Sequence, residues 1–90
     1  MSSEELVKRI EADEYILPAE IRKQVSDEQL LKDMEEIFRK YQSKLKSEES
    51  FRRKYIDIFA YLFSENLTGK TKLKFNDDMI TTLLAFPETR

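Results

Sequence analysis

The side chains best equipped for chemistry with a partner are six bases in two runs: Arg52, Arg53 and Lys54, and the alternating Lys70, Lys72 and Lys74. Their cationic groups can hold carboxylates or phosphates, but nothing in the chain turns such contacts into catalysis. There is no histidine and no cysteine, which removes the commonest nucleophile–base pairs and most transition-metal ligand sets. A single glycine cannot build a phosphate-cradling loop. The acidic pairs Glu4-Glu5, Glu48-Glu49 and Asp77-Asp78 fall where helices are predicted to begin, and there carboxylates favour the positive end of the helix dipole. Calcium would need several alternating oxygen ligands, and these are missing. No catalytic, cofactor-binding or metal site is predicted, and the chain reads as a non-enzyme.

The charges are unevenly spread. Residues 1–36 hold eleven acids and five bases, residues 37–74 four acids and ten bases, and residues 75–90 three acids and one base. The middle is therefore a basic belt, able to steer an acidic partner or an anionic membrane surface. It can equally balance the acidic third inside the fold. The candidate partner-binding residues are Arg53, Lys54, Lys70, Lys72 and Lys74.

Ninety residues suit one domain, 1–90, with a core just large enough to fold alone. A charged fraction of 38%, 40% apolar residues, one glycine and two prolines describe long helices joined by short turns. The N-terminus lacks a basic segment followed by an apolar run, so no signal peptide is expected. The longest apolar run, Tyr55 to Phe63, is interrupted by Asp57 and falls short of the roughly 20 residues a membrane span needs. A cytoplasmic protein, membrane-peripheral at most, is expected.

The elements that must position the bases are all helical. Ser2 and Glu5 have capping-box spacing and start a first helix that fades near Asp13 and Glu14. Tyr15, Ile16 and Leu17 link it to a short helix, Pro18 to Val25, with proline in its first turn. Ser26-Asp27-Glu28-Gln29 is a second capping box, and Val25 with Leu30 forms a hydrophobic staple. Leu30, Met34, Ile37, Phe38, Tyr41 and Leu45 then recur at three- and four-residue intervals. Glu28 with Lys32, Glu35 with Arg39 and Glu36 with Lys40 stand in the favourable i,i+4 order on the outer face. The stripe breaks at Glu48 and Glu49, so Ser47 is predicted to cap a new helix; one continuous helix to Leu67 is the alternative.

In that next helix Phe51, Tyr55, Ile58, Phe59 and Leu62 fill one side, and Ile56, Ala60, Phe63 and Leu67 widen the apolar arc to roughly half the circumference. A helix this apolar must touch two or three neighbours and belongs at the centre. On its polar side Arg53 and Asp57 are expected to form an i,i+4 ion pair. Asn66 and Gly69 end it, Gly69 in a left-handed conformation. Lys70 to Phe75 has strand-like alternation but no partner strand, so it is read as a loop with Leu73 and Phe75 inward. Asn76 caps the last helix, Phe75 and Ile80 staple it, Met79, Ile80, Leu83, Leu84 and Phe86 bury it, and Pro87 stops it. The fold class is all-α: an antiparallel four-helix bundle with an additional short helix between the first two long ones.

Pro18 to Tyr41 has the outline of a helix-turn-helix, but Asp27-Glu28 at the would-be reading end repels phosphates, so nucleic acid is not expected. A different resemblance covers about two thirds of the chain. Leu30-Leu31-Lys32-Asp33-Met34-Glu35-Glu36-Ile37-Phe38-Arg39-Lys40-Tyr41, then Tyr61-Leu62-Phe63 ending an apolar helix, then Lys72-Leu73-Lys74-Phe75 entering an amphipathic helix with Leu83-Leu84, resemble the immunity proteins of pediocin-like (class IIa) bacteriocins, particularly the enterocin A type. The resemblance implies a cytoplasmic antiparallel four-helix bundle. It also implies that the chain shields the mannose phosphotransferase permease, with its bound bacteriocin, from becoming a pore, and that the C-terminal half decides which toxin is countered. Two features depart from the family: the slightly acidic net charge and the short tail ending at Arg90. A small helical regulator or adaptor that binds another soluble protein is the alternative.

Overall fold

The computed structural model describes residues 3–12, 20 and 23–87. Among these the chain is all-α, with no strand, and five helices have described bounds: α1 (Ser3–Glu11), α2 (Asp27–Lys40), α3 (Gln42–Ser47), α4 (Glu49–Leu67) and α5 (Asp77–Leu84). The expected cap at Ser2, the Tyr15 to Leu17 linker and most of the short helix from Pro18 lie outside the described residues; Glu20, Lys23 and Gln24 are helical. One hydrophobic cluster draws on all five helices.

α2 starts where its capping sequence places it. Ser26 is extended, and its Oγ accepts the Gln29 N–H at 3.2 Å, satisfying one of the orphan donors of the first turn. Instead of turning back to complete a reciprocal box, Gln29 Nε2 donates forward to Asp33 Oδ1 at 3.1 Å. Leu30, Met34, Ile37 and Phe38 are buried as the stripe requires, and Leu31 and Asp33 join them, because α1 and α4 both pack on this helix. Of the three outer-face pairs, Glu36 and Lys40 close at 2.7 Å.

The stripe does not run to Leu45 as one helix. Tyr41, at φ −118° and ψ 32°, ends α2 while its N–H still bonds to Ile37 O, and Glu48, at φ −111° and ψ 101°, separates α3 from α4. The continuous-helix alternative is thereby contradicted. So is the Ser47 cap: Ser47 is the last residue of α3, its Oγ donating to Ser43 O at 2.8 Å, and the cap position of α4 is Glu48, with no side-chain hydrogen bond. Arg52 stabilises the junction. Its guanidinium donates to the carbonyls of Leu45 at 3.0 Å and Lys46 at 3.2 Å, two of the acceptors that the end of α3 leaves without helical partners.

α4 contacts α1, α2 and α3, the central position its apolar arc demands. Phe51, Tyr55, Ile56, Ile58, Phe59 and Leu62 are buried. Tyr55 is fully buried, and its hydroxyl donates to Met34 O at 2.6 Å. Burial pushes the ionisation of that hydroxyl well up, so it remains a donor. The arc is narrower than the sequence suggests: Ala60 is exposed, Leu67 is 73% exposed and, on α5, Leu84 is 47% exposed. Leu67 and Leu84 are the last residues of their helices, where cover by neighbouring elements runs out. Arg53 and Asp57 are both exposed and unjoined among the described residues. A base placed N-terminal to an acid is the weaker i,i+4 order, and exposed pairs gain little.

α5 begins at Asn76, whose Oδ1 accepts from Asp78 N–H at 2.8 Å and Met79 N–H at 3.3 Å. Met79 and Leu83 are buried, and Phe75, Ile80 and Phe86 pack against the core. The helix ends at Leu84, before Pro87. Replacing Asn76 by Ala is expected to cost about 0.5 to 2 kcal/mol; an unchanged urea midpoint would contradict the cap.

Asp33 is a buried carboxylate, only 6% exposed. Desolvation raises its ionisation above the ordinary 3.8, against the opposing hydrogen bond from Gln29. An acid with a raised native value favours the fold fully below the unfolded value and loses that contribution as pH rises through the native one. Asp33→Asn is therefore expected to raise the denaturation midpoint at pH 7, and the difference from wild type should shrink as pH falls below 3.8. Equal differences at both ends of a pH series of urea titrations would refute it.

Candidate binding surface

The α4–α5 loop is held by backbone chemistry that begins at Gly69. At φ 81° this residue occupies the left-handed region that glycine enters without steric cost. A Cβ there would meet nothing within 4 Å, so the dihedral and not space is the constraint. The Gly69 N–H bonds to Asn66 O at 3.2 Å and the Lys70 N–H to Glu65 O at 3.0 Å, the pair of bonds that defines a Schellman ending.

Asn66 then fixes the loop that follows. Its Oδ1 accepts from Leu73 N–H at 2.7 Å and Thr71 Oγ1 at 3.0 Å, and its Nδ2 donates to Leu73 O at 2.9 Å. One carboxamide thus supplies the donor and acceptor that a neighbouring strand would offer Leu73, which is how an alternating segment survives without a sheet. Thr71, Leu73 and Phe75 are half-buried; Lys70, Lys72 and Lys74 are exposed. Phe75 anchors the far end, its ring edge-on to Phe59 at 5.6 Å and Phe63 at 5.4 Å. Such ring pairs add roughly 0.5 to 1.5 kcal/mol each beyond area burial.

The other two candidate bases lie elsewhere. Arg53 is exposed beside Glu49 and Asp57 over a shallow depression, and Lys54 is half-buried with its Nζ donating to Ile10 O at 3.4 Å. Both stand near the start of α4, about 20 Å along its axis from the loop at 1.5 Å per residue. The belt is thus divided. Its remaining members include side chains tied into the fold: Arg52 overlies the Phe86 ring at 4.8 Å, and Lys44 bridges Glu11 and Glu48 and lies 5.5 Å from the centre of the Phe51 ring. The hydrogen bond to Glu11 raises the Lys44 ammonium, and Glu36 does the same for Lys40.

No family model, curated protein or solved structure matches the chain.

Between α2 and α5 runs a groove of about 680 Å³, floored by Phe38 and Met79 and rimmed by Glu35, Arg39, Asn76 and Asp78. Its mixed charges select no ligand class. Among the described residues no three carboxylates gather where they could hold a metal ion, and no helix is long and apolar enough to cross a membrane.

Sequence reasoning places the lysines on the loop but misses the Asn66 clamp and the exposure of Leu67. An asparagine three residues before a helix-ending glycine is the available signal. Asn66→Ala leaves the partly buried Leu73 N–H and C=O without their partner, at an expected cost of about 1 to 3 kcal/mol. Amide hydrogen exchange at Leu73 should accelerate strongly while the α4 core stays protected; unchanged exchange would remove the clamp.

Proposed function

We propose that the chain is a non-enzymatic immunity protein of the class IIa bacteriocin type, acting in the cytoplasm by contact with the mannose phosphotransferase permease and its bound bacteriocin. In this reading α1, α2, α4 and α5 are the four principal members of an antiparallel bundle. Two supports are the quoted resemblance and the all-α fold. The observation that carries most weight is the α4–α5 loop: three exposed lysines held on a clamped segment, within the half of the chain that selects the toxin in the resembled family. A clamped loop presents its charges with little ordering cost on binding.

The second reading, a helical adaptor for a soluble protein, is favoured by the α2–α5 groove, whose apolar floor could receive a partner's side chain. A protection assay separates the two. Expressed in a bacteriocin-sensitive strain and challenged with a panel of class IIa peptides, the chain is expected to protect against at least one, and protection against none would sink the immunity reading. The variant carrying Lys70→Ser, Lys72→Ser and Lys74→Ser should keep its helical circular dichroism and lose protection. Full protection by that variant would return the lysines to a solubility role.

A further inference from the structure

We infer that the α4–α5 loop is itself a docking device for an anionic lipid surface, with Lys70, Lys72 and Lys74 on the headgroups and Leu67 entering the apolar edge beneath them. The inference stands on the loop alone and needs neither toxin nor permease, so its failure leaves the immunity reading untouched.

Four observations converge on this end of the molecule. The three lysines occupy alternate positions of the loop and are all exposed, while Thr71, Leu73 and Phe75 are half-buried. Their alternation with half-buried residues turns all three ammonium groups away from the core. From Asn66 to Asn76 there is no acid, and none of the three lysines has an ion-pair partner among the described residues. Of the flanking acids, Glu65 is half-buried, and Asp77 and Asp78 are exposed in the first turn of α5, where the helix dipole offsets part of their charge. Leu67, the last residue of α4, is 73% exposed.

The combination selects lipid over an acidic protein. Charge complementarity alone would serve either partner, but an acidic protein patch need not carry an apolar layer just beneath its charges to meet Leu67, which is exposed three residues before Lys70. A bilayer does, because apolar chains begin just beneath its charged headgroups. The Asn66 clamp and the Schellman ending hold the lysines without need of the membrane. Three lysines and one leucine make a reversible, salt-sensitive contact, well short of a stable anchor.

Co-sedimentation of the full chain with vesicles tests this directly. Vesicles of equimolar phosphatidylglycerol and phosphatidylcholine should carry the protein down at 0.1 M salt, and phosphatidylcholine alone should not. The bound protein should be released at 1 M salt, where the screening length falls from about 10 Å to about 3 Å. Each lysine-to-serine change should weaken partitioning about fivefold, and the triple change about a hundredfold. Leu67→Ser should weaken partitioning with its salt dependence unchanged. Circular dichroism checks the fold of each variant, and the single Lys72→Ser and Leu67→Ser changes carry the test should the triple variant not fold. The inference is overturned by absence of binding to the phosphatidylglycerol vesicles, by equal binding to both compositions, or by a folded triple variant that partitions like wild type.

Discussion

Everything in this fold depends on covering α4. Tyr55, Ile58, Phe59 and Leu62 stand on one side of it with Phe51 and Ile56 beside them, all removed from water, and each such side chain is worth roughly 1.5 to 3 kcal/mol when fully buried. No single neighbour can cover an arc that wide. α1, α2 and α3 contact it, and the α4–α5 loop closes over its end through Phe75 against Phe59 and Phe63. The fully buried Tyr55 is tolerable because its hydroxyl meets the Met34 carbonyl; without that bond the same burial would strand a polar group in the core.

Covering a helix with short segments multiplies chain ends, and each end leaves backbone groups to be satisfied. Two side chains from α4 answer two of these. Arg52 reaches back to the carbonyls of Leu45 and Lys46, and Asn66 reaches forward to both backbone groups of Leu73. The central helix therefore supplies polar closure at both ends as well as the apolar surface between them. This explains how α3, only six residues long, keeps Leu45 buried even though Tyr41 and Glu48 break the helix on either side.

The same economy divides the basic belt. Arg52, Lys44 and Lys54 reach carbonyls, carboxylates or rings of the fold, so their charge serves architecture. Lys70, Lys72 and Lys74 alternate with inward residues and remain in solvent. Balancing the acidic third and meeting a partner, two readings of one charge run, thus fall to different residues. The functional proposals rest on the second group alone.

Local features were legible from the residues. Ser26, Gly69 and Asn76 mark ends because their side chains, or the lack of one, satisfy or permit a backbone geometry within a few residues. The periodic apolar positions of α2 and α4 identify the core because burial follows the helical repeat. The candidate surface was half legible: alternation set Lys70, Lys72 and Lys74 outward, but the partner of Leu73 is the side chain of Asn66, whose place three residues before a helix-ending glycine is the one local signal of that role. Tertiary structure alone decided the break at Tyr41, the burial of Asp33, the exposure of Leu67 and the absence of an Arg53–Asp57 pair. Each of these depends on which neighbour arrives at a given face, and that is a property of the packed chain. Periodicity can say that a face must be covered; only packing says by what, and how far the cover extends.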